Sequence, residues 1–160
     1  MPGTARVALG GMVFHVLNRR VGKSFLFCND QDYLAFERII ADTLAMRPMR
    51  MLSYCLMPDH WHFVLWPEKD SDLRRFMRQL PVTQVPRWQK NYNLIGTGHV
   101  YQSRFKSFSV QTDEYFQIVN RYVERNALRA NLLKRAVDLA YGSLWMREPG
   151  TTELRGLVSV

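Results

Sequence analysis

Two histidines stand two residues apart in His60-Trp61-His62. A tyrosine and an asparagine stand four apart in Tyr122-Val123-Glu124-Arg125-Asn126. Each spacing groups its side chains. On a strand, residues i and i+2 share a face, so the two imidazoles project together, about 7 Å apart at Cα. On a helix, residues i and i+4 share a face, one turn apart. Two imidazoles can reach one divalent ion but are too few for a metal site, so a third ligand must come from elsewhere. A phenol and an amide oxygen beside such a pair make a candidate nucleophile, Tyr122, and a candidate ligand, Asn126. Glu124 is a rival ligand on another side of that helix. Blander alternatives stand beside both readings. The histidines can be an inert, hydrogen-bonded pair at a half-exposed strand end. Tyr122 can continue the apolar stripe of Tyr115, Ile118 and Val119 into the core. His15 also needs explaining.

The elements that must position these residues follow from periodicity. Met12–Arg20 is apolar on both sides, as in a central strand. Asn29 caps a helix from Asp30, whose Tyr33, Phe36, Ile40 and Leu44 recur at helical spacing, and Pro48 ends it. Met49–Met57 and His60–Trp66 read as two strands around a turn at Met57-Pro58-Asp59, with Trp61, Phe63 and Leu65 on the core side. Ser71 caps a helix over 72–80, and Pro81 and Pro86 predict an irregular segment or a short helix up to Tyr92. Residues 99–110 read as a strand carrying Tyr101, Arg104 and Lys106. Thr112 caps a last helix with Asp113 and Glu114 in its first turn and an apolar stripe of Tyr115, Ile118, Val119, Tyr122 and Val123. The order predicts an α+β fold: a ferredoxin-like split βαβ sheet with an added C-terminal helix. Residues 1–150 form one domain in this reading, and 151–160 a tail expected to be disordered.

Composition narrows the function. The chain has 160 residues, 47% of them hydrophobic and 22% charged, which excludes a mainly disordered chain and a disulfide miniprotein. No apolar run is long enough to span a membrane, and the N-terminus does not read as a secretory signal. Cys28 and Cys55 make neither a zinc spacing nor a redox pair, so a reducing cytoplasm is expected. The net charge of +8 is concentrated: residues 72–135 hold 12 basic and 4 acidic side chains. Trp88, Tyr92 and Tyr101 are interleaved with that charge. Such a segment suits phosphate contacts with base stacking, or else is a solvated basic face. Arg121, Arg125 and Arg129 form a further stripe able to hold phosphates.

Four blocks in order make the chain resemble the single-tyrosine HUH transposases of the insertion-sequence type, most closely the REP-associated tyrosine transposases. They are His15-Val16-Leu17-Asn18-Arg19, Met57-Pro58-Asp59-His60-Trp61-His62, Val100-Tyr101-Gln102-Ser103-Arg104-Phe105-Lys106-Ser107, and the run from Arg121 to Ala130. The resemblance spans about residues 12–146. It departs at Ala127, where the family usually has proline, at Asn131, where glycine is expected, and at Pro81 and Pro86.

The resemblance implies a metal-dependent single-stranded DNA transesterase. Tyr122 would be its nucleophile, forming a 5′-phosphotyrosine, and the last helix its catalytic helix. His60, His62 and Asn126 would be its metal ligands, for Mg²⁺ or Mn²⁺; two imidazoles favour manganese by ligand type. No general base for Tyr122 is evident. The expected partner is single-stranded DNA at hairpin-forming repeats, with no membrane and with self-association left open. Arg74, Arg75, Arg78, Tyr101, Arg104, Lys106, Arg121, Arg125 and Arg129 are the candidate DNA contacts. A non-catalytic single-strand-binding ferredoxin-like module, or another HUH endonuclease such as a replication initiator or relaxase, are the alternatives.

Overall fold

The computed structural model describes residues 10–22, 24–110 and 113–124. Within them the order is β1 (Val13–Arg19), α1 (Asp30–Met46), β2 (Arg50–Met57), β3 (His60–Trp66), α2 (Asp72–Asn91), β4 (Lys106–Val110) and α3 (Asp113–Glu124). The strands form one antiparallel sheet in the order β2-β3-β1-β4. This is the expected α+β, ferredoxin-like arrangement with one added helix. β1 is central, as its two apolar sides require.

Local chemistry sets the first half. The Asn29 side chain accepts from the Asp32 amide at 3.1 Å, and Asp30 and Asp32 place negative charge at the positive end of α1. The helix stops before Pro48, which cannot continue it. The turn between β2 and β3 is held from outside, because the Pro58 carbonyl accepts from the amides of Leu26 and Phe27.

α1 and α2 cover one face of the sheet. Phe36 and Ile40 from α1, Phe76 and Leu80 from α2, and Trp61, Phe63 and Leu65 from β3 close the main core there. α3 covers part of the other face with a thinner patch: Val119 and Val123 against Cys55, Met57, Val64 and Val110.

Four local expectations are corrected. Pro81 and Pro86 do not break α2, which runs 20 residues through both. Each interior proline costs about 3 kcal/mol. Against that, Leu73, Phe76, Met77, Leu80, Gln84 and Trp88 form one continuous stripe on the core. The Val82 carbonyl, deprived of a partner by Pro86, belongs to an exposed residue and can be hydrated. Ser71 makes no capping bond; the Asp72 side chain accepts from the Lys69 amide instead.

The strand expected over 99–110 is only β4. Tyr101 makes an isolated bridge to Arg20, and the chain then bends, held by Asn18 Nδ2 donating to the Ser103 carbonyl at 3.2 Å. The stripe of α3 is rotated by one residue: Phe116, Val119 and Val123 face the sheet, whereas Tyr115 and Ile118 are exposed. Thr112, the expected cap, and the 151–160 tail lie outside the described residues.

Candidate functional site

β3 builds the site by alternation. Trp61 turns into the main core and stacks on Phe63, with centroids 4.3 Å apart. His60 and His62 therefore share the α3 face, with ring centroids 5.1 Å apart. The neighbouring β1 supplies a third imidazole. His15 pairs in register with Val64, so it lies on the same face, diagonal to His62. Its Nε2 is 3.0 Å from His62 Nδ1, and the two rings stack.

His60 is held from the turn. Its Nδ1 is 2.6 Å from Asp59 Oδ1, while Asp59 Oδ2 accepts from Arg19 at 3.0 Å. A carboxylate on one imidazole nitrogen fixes the tautomer and the ring orientation. In both His60 and His62, Nδ1 is thus engaged by a protein partner.

The electrostatics keep the histidines neutral. Burial, reinforced by the nearby His15, His60 and Arg19, pushes His62 down to about 3. Burial also lowers His15 and, against the pull of Asp59, His60. Asp59 is itself held below the usual carboxylate range: burial opposes this, but the hydrogen bond and charge of His60 and the Arg19 guanidinium outweigh it. Neutral imidazole is the form that binds a metal.

α3 brings the phenol. The Tyr122 ring stands edge-on to His15 and His62, at 6.1 and 6.2 Å between centroids. Because the apolar stripe of α3 is rotated, Tyr122 is 37% exposed and is not a core side chain. Tyr101 is on the opposite face, where it accepts from Trp61 Nε1 at 3.0 Å and donates to Gln84. Burial pushes its phenol up to about 12.

The family model for IS200-like transposases matches residues 11–126, the whole span from the start of β1 to the expected third ligand. The chain belongs to the IS200-like transposase family. A solved REP-associated tyrosine transposase bound to a REP hairpin is similar over 99% of this chain and 89% of its own, at 20% identity and a TM-score of 0.72. A crystal structure of a Deinococcus radiodurans R1 protein assigned as a transposase covers 78% of this chain and 96% of its own, at 15% identity and a TM-score of 0.52. Curated protein sequences give no significant match.

In this transposase the structure gathers His60, His62 and Tyr122 on one face. Asn126, Arg125 and Arg129 lie outside the described residues. Among the described residues, no three His, Cys, Asp or Glu side chains are grouped to hold a metal. Of the candidate DNA contacts, Arg74, Arg75, Arg78, Arg104, Lys106 and Arg121 are exposed. Arg74, Arg78, Tyr101 and Arg104 border one cavity, but Arg75 does not.

Trp88 and Tyr92 are corrected as free stacking surfaces. Trp88 Nε1 donates to the Leu26 carbonyl at 2.7 Å, Arg20 lies over its ring, and the Tyr92 hydroxyl is bonded to Asp32. Sequence reasoning assigns no role to His15, Asp59 or Arg19. The signals that could have found them were the motif block that runs from His15 to Arg19 and the position of Asp59 immediately before His60. No helix among the described residues is long and apolar enough to cross a membrane.

Proposed function

We propose that this transposase cuts and rejoins single-stranded DNA through a 5′-phosphotyrosine on Tyr122, at hairpin-forming repeats. The observation that carries the reading is the Tyr122 ring edge-on to the His15–His62 pair. It brings a partly exposed phenol beside two anchored, neutral imidazoles. The hairpin target is supported by the REP hairpin held by the solved relative.

His60, His62 and Asn126 are the proposed holders of a divalent ion. With Nδ1 of both histidines committed to Asp59 and His15, coordination falls to Nε2. When bound, the ion supplies Lewis-acid polarisation of the scissile phosphate. The remaining work belongs to the chain. The Tyr122 oxygen attacks phosphorus and loses its proton. One P–O bond forms as another breaks, and the departing 3′ oxygen takes up a proton to become a free hydroxyl. The tyrosyl ester conserves the phosphodiester bond, so a second strand's 3′-hydroxyl reverses the step without a nucleotide cofactor. The Arg19–Asp59–His60 chain positions His60, and His15 positions His62.

The test is incubation with single-stranded hairpin DNA in manganese or magnesium, followed by a denaturing gel and mass spectrometry. The expected result is a covalent adduct on Tyr122. An adduct on Tyr115 or Tyr101, or none in either metal, overturns the reading.

A further inference from the structure

Trp61 sits between His60 and His62 but points the other way, and on that opposite face it borders a cavity of about 450 Å³. The cavity lies at the end of β1 and the start of β3, between α2 and the bent segment 101–105. Its size falls within the range of small-ligand pockets. Its chemistry is sharply divided. Trp61, Tyr101 and Phe105 supply aromatic surface. Arg74 and Arg78, one turn apart on α2, and Arg104 supply guanidinium groups, and no acidic side chain borders it among the described residues.

The aromatic wall is fixed in place. Trp61 Nε1 donates to the Tyr101 oxygen, and Tyr101 donates to Gln84 Oε1. Flat apolar surface and three guanidinium groups are the complement of a nucleotide. The base packs on the rings and the phosphates meet the arginines.

We propose that this cavity takes one unpaired nucleotide of the single-stranded DNA, with its base against Tyr101 and Phe105 and its phosphates on Arg74, Arg78 and Arg104. The proposal rests on the reading of the protein as a single-strand transposase. It adds a holding point on the face of the sheet opposite Tyr122. A strand passing round the ends of β1 and β3 joins the two, because only the thickness of the sheet at β3 separates Trp61 from its neighbours His60 and His62.

The experiment measures the full chain binding an oligothymidylate of about 15 nucleotides by fluorescence anisotropy across salt concentrations. Phe105→Ala is expected to weaken binding about tenfold without changing the salt slope, since it removes stacking and no charge. Arg74→Gln with Arg78→Gln is expected to reduce the slope by about 1.4. Arg47→Gln, on the exposed end of α1, is the control. Wild-type affinity in Phe105→Ala overturns the proposal. Phe105 also packs against the main core, so a second measurement uses the unaltered protein. Photocrosslinking to the same oligomer carrying 4-thiothymidine should label the peptide holding residues 101–105; labels confined to α1 or α3 overturn the proposal. Covalent adduct formation is scored in parallel. Cavity variants that bind normally while Tyr122 forms its adduct sink the cavity alone. Weakened binding in the variants, with no adduct even in the unaltered protein, sinks the catalytic reading and leaves the cavity standing.

Discussion

On the α1/α2 face of the sheet, Trp61, Phe63 and Leu65 meet Phe36, Ile40 and Phe76 in a buried apolar layer. On the α3 face, the intervening His60, His62 and Val64 meet a patch of a few small side chains and the partly exposed Tyr122. The same seven-residue strand serves both. The first face gains stability from large buried side chains. The second holds polar side chains, His62 buried and Tyr122 partly exposed, and α3 touches the sheet through one row only. A helix packed more fully over β3 would bury Tyr122 and close the histidines off from a DNA phosphate. Thin packing on that side is therefore a condition of the proposed chemistry.

The comparison can be broken at neighbouring positions. Tyr122→Phe removes one oxygen from an edge-exposed ring. Adduct formation should be abolished, while cooperative folding, read by thermal melting, is retained. His62→Ala should likewise eliminate metal-dependent cleavage in the same gel assay. A His62→Ala protein that cuts normally would falsify its assignment as a ligand.

Phe63→Ala, the next residue along, should act in the opposite sense. A fully buried phenylalanine truncated in a packed core costs about 3–5 kcal/mol, whereas His62→Ala should cost clearly less. Urea denaturation of the two variants compares them directly. Equal losses would mean that the two faces contribute equally to stability.

Acid should also separate the faces. Glu37 on α1 is buried in the main core and accepts from the Tyr54 hydroxyl at 3.0 Å. Burial pushes it up to about 7, although the Tyr54 bond opposes this. Its folded pKa lies above the unfolded value of about 4.5, so its contribution is complete below that value and is lost as pH rises through 7. His62 is the reverse. Its folded pKa of about 3 lies below the unfolded 6.5, so its contribution is present above 6.5 and is lost as pH falls toward 3. Between 4.5 and 6.5 the two oppose each other. Glu37→Gln should unmask the loss on acidification, at up to about 1.4 kcal/mol per pH unit for His62. His62→Gln should shift the slope the other way. Denaturation between pH 5 and about pH 8 in chelator reads both, and slopes that change together would contradict the opposition.

The smallest expected effect concerns charge on the α3 side. Arg121 is exposed and adjacent to Tyr122. Arg121→Gln should lower the salt slope of single-strand binding by about 0.7, the share of one phosphate contact. An unchanged slope removes Arg121 from the footprint.

Much of this was legible before any tertiary structure. Period-two alternation places His60 and His62 together and Trp61 opposite them, because that depends only on backbone geometry. The Asn29 cap and the stop before Pro48 are equally local, and the turn at Pro58-Asp59 is marked in the sequence although the Leu26 and Phe27 amides hold it. The motif blocks, with their order and spacing, identify the family.

Other features needed partners distant in the chain. The continuity of α2 through Pro81 and Pro86 depends on core burial outweighing a local penalty, which propensity cannot weigh. His15 acquires its role only when β1 pairs with β3, since 47 residues separate it from His62. The inward turn of Tyr101 follows from Trp61 and Gln84, and it shortens β4. The one-residue rotation of α3 was beyond periodicity, because Tyr115, Ile118 and Tyr122 suit an apolar stripe as well as Phe116 does. What decided it was the shape of the patch formed by Cys55, Met57, Val64 and Val110, which admits Val119 and Val123 and leaves Tyr122 beside the histidines. Hydrophobicity along a helix says how much surface must be buried; only the packed sheet says which row is buried and which side chain is left at its edge.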